Sequence, residues 1–220
     1  MLKVVVFDCG YGGELFADKL EAELPIVSVV RAISWRDTDA SSLRSRSLRS
    51  VAEEALRPYI GKVDLIIFAN YLLATTSLRY FSKKYQNQKF IGFKMCPERI
   101  VESRHTLILT TTVATRNLGF FAFAHKMKAK TLCLDGWPFL IDNGTINRHN
   151  IEQMLQGAVS KRVRDFSPEQ ILLTYGQFAM FAPELRRTFG HNVRIVDGFD
   201  DTIRDTYRAL GIKGAPKRKK

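Results

Sequence analysis

Short apolar runs alternate with amphipathic stretches along this chain. The runs have the length of β-strands, and the stretches between them space their apolar residues as helices do. A parallel sheet with crossover helices produces this pattern, because its strands are buried on both faces. The predicted strands are Lys3–Phe7, Ile26–Arg31, Val63–Ala69, Phe90–Phe93, Thr106–Thr110, Thr131–Leu134, Gln170–Thr174 and Val193–Val196. The clearest predicted helices are Gly13–Leu24, Ser50–Tyr59, Leu73–Tyr85, Ile151–Arg164 and Asp201–Leu210.

The order of elements repeats in the second half of the chain. The fourth predicted strand ends near Met95–Glu98, and a strand, a polar turn, a helix and a strand then follow again. We therefore predict an α/β protein of two similar lobes, each with a mainly parallel sheet flanked by helices. Ligands of such folds bind at the carboxyl ends of strands, so we expect the site in a cleft between the lobes. The predicted lobes are residues 1–95 with 193–212 and residues 96–192, before a disordered basic tail at 213–220.

The amino-acid composition is that of a folded globular protein. The chain has 220 residues, of which 45% are hydrophobic and 25% charged, as is ordinary for folded globular proteins. No apolar run approaches the roughly 20 residues of a membrane helix. Asp8 interrupts the first apolar stretch before any signal-peptide pattern. We therefore expect a cytoplasmic protein without membrane association.

The cysteines and histidines show no metal-binding spacing. Cys9, Cys96 and Cys133 are far apart in sequence and form no paired motif. The histidines likewise lack an HxxxH or HExxH arrangement. We expect reduced thiols, no metal and no cofactor.

The net charge of +12 is typical of proteins with a polyanionic partner or of proteomes with a basic bias. Positive charge is concentrated in the tail at 213–220 and in a cluster of Arg44, Arg46, Arg49 and Arg57. Neither place has a nucleic-acid motif or interleaved aromatic residues. Contact with nucleic acid through these residues is therefore an alternative that rests on charge alone.

A glycine-rich turn lies between the first predicted strand and the first predicted helix. Gly10, Gly12 and Gly13 allow the backbone to approach a ligand, and N–H groups at a helix N-terminus attract carboxylate or phosphate. Asp8 ends the strand, where a partly desolvated carboxylate can orient or deprotonate a neighbour. Cys9 is a candidate nucleophile or acid/base, because a thiol pKa tends to fall near a helix N-terminus. A tight strand-to-helix connection with a small residue at position 9 explains the same pattern without a ligand.

Five segments with an ordered set of motifs span residues 3–197. They are Asp8–Gly13, Ala69–Tyr71, Leu109–Asn117, Cys133–Gly144, and Ile171–Ala179 together with Asn192–Asp197. In this order they resemble DSGxGG, CNT, ATPATVRS, CPLFVPLVEEG and GCTHYPLL with NVRLIDS of the glutamate racemases and the wider aspartate/glutamate racemase group. The resemblance implies a two-lobed α/β fold and a cofactor-independent amino-acid racemase.

The resemblance also implies a proton-transfer mechanism for which this chain lacks the groups. Racemisation without a cofactor needs two acid/base groups on opposite faces of the α-carbon, and the family supplies cysteines from its CNT and CTH turns. The corresponding residues here are Ala69 and Tyr175. A methyl group takes no proton, and an unperturbed tyrosine with a pKa of about 10 is a poor base at neutral pH. No cysteine lies between Lys62 and Lys84 or after Cys133, so a shifted register does not restore the pair.

Part of the family's binding set remains. Asp8, Asn70 and Thr111 are kept, and the resemblance implies that Asn70 helps to hold the α-carboxylate and amino group of a substrate. The family's histidine is Gln177 here, and its first threonine is Tyr71. We therefore favour a protein that binds a small carboxylate or amino acid through the glycine-rich turn, these kept residues and Gln177, without racemising it.

Two other functions are compatible with the sequence. In the first, the chain is an active racemase, isomerase or lyase in which Cys9, assisted by Asp8, and Tyr175 replace the two thiols. In the second, the basic tail and arginine cluster bind a polyanion. A homodimer is compatible with each of these hypotheses.

Overall fold

The computed structural model describes residues 1–34, 45–94, 105–116, 129–163 and 166–215, which form two compact α/β units. The first unit contains residues 1–34, 45–94 and 198–215, and the second contains residues 105–116, 129–163 and 166–197. Cys96, Arg44, the predicted boundary at Met95–Glu98 and the end of the predicted tail lie outside the described residues.

Strands and helices alternate along most of the described chain. In the first unit the elements are β1 (Leu2–Asp8), α1 (Tyr11–Glu23), β2 (Val27–Ile33), α2 (Ser45–Leu56), β3 (Leu65–Phe68), α3 (Tyr71–Lys84) and β4 (Phe90–Gly92). The second unit follows with β5 (Thr106–Thr110), α4 (Thr112–Thr115), β6 (Lys130–Cys133), α5 (Trp137–Asp142), α6 (Ile151–Arg162), β7 (Gln170–Leu173), a 3-10 helix (Gly176–Phe181), α7 (Ala182–Phe189) and β8 (Arg194–Val196). The last helix, α8 (Phe199–Leu210), belongs to the first unit.

The first unit has a four-stranded parallel sheet in the order β2-β1-β3-β4. Val4 in β1 aligns with Val29 of β2 on one side and with Leu65 of β3 on the other. All residues of Val4–Phe7 and Leu65–Phe68 are 0% exposed. The central strands are apolar throughout because both faces of the sheet are covered.

Three aromatic rings attach α8 to the first unit. Phe16 of α1, Phe93 after β4 and Phe199 of α8 pack edge to face, with ring centroids 5.1 to 5.6 Å apart. Such pairs contribute roughly 0.5 to 1.5 kcal/mol beyond the burial of apolar area. The Tyr207 hydroxyl also donates to the backbone carbonyl of Glu23 at 3.0 Å. The last helix is therefore an integral part of the core of the first unit.

The second unit has its own four-stranded parallel sheet in the order β6-β5-β7-β8. Ile108 in β5 aligns with Thr131 of β6 and with Leu172 of β7. The whole of Thr106–Thr110 is buried. The predicted α/β class with two parallel sheets flanked by helices is thus confirmed. No helix in the parts of the chain that the structure describes is long and apolar enough to cross a bilayer.

The predicted position of the last strand is wrong. Residues 193–197 were expected in the first lobe, but β8 pairs with β7 of the second sheet. Gln170 aligns with Arg194, and the Arg194 N–H donates to the Glu169 carbonyl at 3.0 Å. The change from the second unit to the first therefore comes after β8, near Gly198.

The predicted helix limits also need correction. The second predicted helix, Ser50–Tyr59, is observed as Ser45–Leu56. Pro58 explains its early end, because proline lacks the N–H of a continuing helix and disfavours helical geometry at the residue before it. The sequence prediction missed α4, α5, α7 and the 3-10 helix, which are too short to show a clear helical period.

Candidate functional site

A buried acid–amide pair lies at the carboxyl edge of the first sheet. Asp8 is the last residue of β1 and is 0% exposed, and its Oδ1 accepts from Asn70 Nδ2 at 3.0 Å and from the Cys9 N–H at 2.6 Å. The Asn70 Oδ1 accepts from the Leu73 N–H at 2.9 Å and caps α3. Because both ends of the Asn70 amide have partners, its orientation is fixed relative to Asp8.

The glycine-rich turn brings α1 against Asp8. Gly10 precedes the helix in an extended conformation, and its carbonyl accepts from the Gly13 N–H at 3.1 Å. A Cβ on Gly13 would lie 2.5 Å from Asp8 Cβ and 2.6 Å from Ile33 Cδ1. Gly13 is therefore needed for packing, whereas the buried Gly10 and Gly12 retain the predicted role in ligand binding as a hypothesis.

The first turn of α1 already carries a neutralised carboxylate. Glu14 Oε2 lies 3.0 Å from Arg31 Nε. Arg31 also donates two hydrogen bonds to Glu21 and one to Asp18, and these bonds raise its pKa above the usual value. Since Arg31 is surrounded by carboxylates, its charge is directed to α1 and not to a ligand.

The end of β3 has no group suited to proton transfer. Ala69 is 0% exposed, and its N–H donates to the Phe7 carbonyl at 2.8 Å. Burial raises the pKa of Tyr71 to about 12, so this phenol stays protonated at neutral pH and cannot act as a base. Cys9 is half-buried and lies on the neighbouring strand end, next to Asp8.

Two hydroxyl groups meet at the carboxyl edge of the second sheet. Thr111 Oγ1 and the Tyr175 hydroxyl are 2.9 Å apart, and both residues are at most 2% exposed. Thr111 follows β5 and caps α4 by accepting from the Ala114 N–H at 3.4 Å. The Tyr175 ring packs edge to face on Phe178, with centroids 6.0 Å apart. Tyr175 is thus fixed at both its ring and its hydroxyl.

A second polar pair lies after β7. Gln177 is 3% exposed, and its Nε2 donates to both carboxylate oxygens of Asp142, at 3.3 and 3.2 Å. At the end of β6, Asp135 accepts from the N–H and the hydroxyl of Thr112, each at 2.6 Å. This edge of the second sheet therefore carries two carboxylates, one beside Thr112 and one beside Gln177.

The arginine cluster is only partly available to a partner. Arg49 Nε donates to the Thr76 carbonyl at 2.7 Å, and its guanidinium lies 5.4 Å from the Tyr80 ring centroid. Arg49 therefore serves the packing of α2 on α3, while Arg46 and Arg57 are exposed. Among the described residues, no group of three or more His, Cys, Asp or Glu is arranged to hold a metal ion.

An open surface depression of about 520 Å³ lies elsewhere in the second unit. Its lining includes Glu169, which precedes β7, and Val193, which precedes β8. It therefore opens at the amino ends of these strands, away from Thr111 and Tyr175 at the carboxyl ends.

No protein-family model and no curated protein sequence matches this chain, but solved structures do. The Escherichia coli glutamate racemase, in complex with L-glutamate and the activator UDP-MurNAc-ala, matches 100% of this chain and 85% of its own length, with a TM-score of 0.80 and 18% identity. The Francisella tularensis enzyme with D-glutamate matches 100% of this chain and 84% of its own, with a TM-score of 0.75 and 16% identity. The Picrophilus torridus aspartate racemase matches 96% and 94%, with a TM-score of 0.55 and 13% identity.

This chain has the glutamate racemase fold. The resemblance inferred from the motifs is thereby confirmed at the level of the fold, and at these identities the structural match carries no further than that. Activity and ligand are separate questions, since one fold supports several functions.

Within this glutamate racemase fold, each unit brings together part of the predicted site. The first unit joins Asp8, Cys9 and Asn70 at one sheet edge, and the second joins Thr111 with Tyr175. Two residues of the second unit have no role assigned from the sequence alone. These are Asp142, which binds Gln177, and Asp135. Asp135 directly follows a predicted strand, Thr131–Leu134, and that position could have indicated it. Asp142 ends a short helix that the sequence did not predict.

Gly13→Ala should destabilise the protein by about 1 to 3 kcal/mol, because the new methyl group overpacks the contact between α1 and Asp8. Gly157→Ala is the matched control, since Gly157 lies inside α6 and a Cβ added there would meet no atom within 4 Å. It should stabilise by up to about 1 kcal/mol. Urea unfolding measures both, and equal effects of the two substitutions would contradict the packing role of Gly13.

Tyr175→Phe should cost about 1 kcal/mol of unfolding free energy by removing the hydrogen bond to Thr111. Thr111→Val removes the same bond together with the cap on α4, so it should cost more. In a double-mutant cycle the two substitutions should couple by about 1 kcal/mol. Additive effects would show that the two hydroxyls do not interact in solution.

Proposed function

We propose that this chain is a glutamate-racemase-like protein that binds a small carboxylate or amino acid and does not racemise it. One observation carries the proposal. The buried pair of Asp8 and Asn70 keeps a polar sheet edge, while Ala69 and a hydrogen-bonded Tyr175 stand where the related motifs have thiols.

The binding half of the proposal rests on the first unit. A fully buried carboxylate is costly unless it is hydrogen-bonded, and Asp8 has two N–H donors on one oxygen. Asn70 uses one amide hydrogen on Asp8, so its second hydrogen remains for a ligand carboxylate. The buried glycine turn from Gly10 to Gly13 provides main-chain groups beside the same edge. Similar solved structures are complexes with L-glutamate and D-glutamate, which agrees with an amino acid as the ligand class.

The loss of racemisation rests on both strand ends. Cofactor-free racemisation needs one group to remove the α-proton and another to deliver a proton to the opposite face. Ala69 offers neither an acid nor a base, and Tyr71 beside it stays a neutral phenol. The Tyr175 hydroxyl is paired with Thr111. Even one missing member of such a pair prevents inversion.

An active isomerase or lyase is the second candidate, and one observation favours it. Cys9 is half-buried and therefore reachable, and its backbone contacts the Asp8 carboxylate at 2.6 Å. In this alternative Cys9 and Asp8 act as one acid/base and Tyr175 as the other.

Wild-type protein should bind at least one of L-glutamate, D-glutamate, L-aspartate and D-aspartate at millimolar concentration or below in titration calorimetry. Asp8→Asn should weaken that binding about tenfold or more, because it removes the charged acceptor that orients the Asn70 amide. A hydrogen bond to a charged group is worth roughly 1.5 to 3 kcal/mol. Asp64→Asn is the matched control, since Asp64 accepts from the Lys3 N–H at 2.7 Å near the amino end of the same sheet. If none of the four acids binds to wild type, the proposal fails.

Wild-type protein in deuterium oxide should exchange the α-proton of these amino acids no faster than buffer does, as measured by proton NMR. The reason is that Ala69 offers no acid/base group after β3 and that Tyr71 beside it stays protonated, whereas racemisation needs two such groups. Exchange that is present in wild type and lost in Cys9→Ala would establish the second candidate instead. Exchange that survives Cys9→Ala would point to other acid/bases and would also refute the non-racemising proposal.

A further inference from the structure

Gln177 has a fixed amide with one end unused. Carboxylates accept and amide NH₂ groups donate, so the contact with Asp142 directs Nε2 towards that carboxylate and Oε1 away from it. The side chain is 3% exposed, and Oε1 is buried without a hydrogen-bond partner among the residues that the structure describes. A buried acceptor left in this state costs roughly 1 to 3 kcal/mol, so it calls for a donor.

A second polar group without a partner among the described residues belongs to the same sheet edge. The hydroxyl oxygen of Thr110 is buried and likewise has no partner within the described part of the chain. Thr110 ends β5, and Gln177 follows β7, which pairs directly with β5. Both groups therefore belong to neighbouring strand ends at the carboxyl edge of the second sheet.

Two carboxylates lie at this edge. Asp135 follows β6, the strand on the other side of β5, and Asp142 holds Gln177. A ligand carboxylate brought to Gln177 would meet a carbonyl oxygen and a nearby carboxylate, and both repel it. An N–H donor would be attracted by each of these groups.

We infer that Gln177 is the acceptor for an N–H group of the ligand, either an ammonium or a carboxamide, and that the second unit discriminates against a carboxylate at this position. The inference rests on the proposed function, because it assumes that a small ligand binds. It also adds to that function the class of ligand. Histidine, which the related motif has in place of Gln177, can donate from a ring N–H, whereas this fixed carbonyl can only accept.

Four ligands of equal carbon-chain length distinguish an ammonium from a carboxamide as the N–H donor. Glutarate has neither group, glutamate has only the ammonium, glutaramate has only the carboxamide, and glutamine has both. Titration calorimetry of wild type should give at least about tenfold tighter binding for one of the N–H ligands than for glutarate, as expected for one hydrogen bond to a buried acceptor. The member of the series that gains most identifies the group that Gln177 accepts.

Gln177→Met tests the residue itself, because methionine keeps the length of the side chain and removes the carbonyl. This variant should show a preference for the N–H ligand over glutarate that is about tenfold smaller than that of wild type. Gln170→Met is the matched control: Gln170 is a buried glutamine of the same sheet whose amide donates to Thr106 Oγ1 at 2.6 Å at the other end of β7. It should keep the wild-type order of affinities.

The outcomes separate this inference from the proposed function. If glutarate binds to wild type as tightly as the other three, the inference is wrong and the proposed function stands. If the preference exists but Gln177→Met retains it, the acceptor is another group and the inference is again wrong. If none of the four ligands binds, this inference fails, and the proposed function fails with it only if neither enantiomer of aspartate binds either. Should Gln177→Met not fold, equal affinity of wild type for glutarate and for the N–H ligands still refutes the inference.

Discussion

The in-register pairing of parallel strands determines where the polar groups of both units lie. Strands of a parallel sheet end at the same edge, so residues that follow aligned positions become neighbours. Phe7 aligns with Phe68, which brings Asp8 beside the start of α3 at Asn70. Leu109 aligns with Leu173, and two residues further along each chain Thr111 meets Tyr175. A slip of one residue would exchange the two faces of a strand and separate these pairs.

The same constraint explains how side chains at the strand ends can differ while the fold is kept. The sheets are held by main-chain pairing, which does not depend on the side chains just beyond the strand ends. Tyr175 is nevertheless much larger than a cysteine, and it is 2% exposed. Its ring has a partner in Phe178 and its hydroxyl has one in Thr111, so the large side chain is accommodated without an unsatisfied group. Such an environment is typical of a residue integrated into the structure and not of a decayed site.

The sequence predicts the individual strands better than it predicts which sheet each strand joins or which residues form the site. Strands such as β1 and β5 are buried apolar runs, and a buried run is visible in any single sequence. The three residues of β8 contain no information about which sheet they join, and only pairing with β7 decides it. The role of Gly13 depends on the distance to Asp8 and Ile33, which no motif encodes.

Each unit holds a buried amide at the carboxyl edge of its sheet, and the two amides differ in the hydrogen-bonding groups that they leave open. Asn70 is held by the Leu73 N–H on its oxygen and by Asp8 on its nitrogen, so what it retains for a ligand is a second amide hydrogen. Gln177 is held only through its nitrogen, so what it retains is an oxygen. A donor suits a carboxylate, and an acceptor suits an ammonium or a carboxamide. The polar edges of the two units are therefore complementary to different groups, a carboxylate at Asn70 and an N–H donor at Gln177.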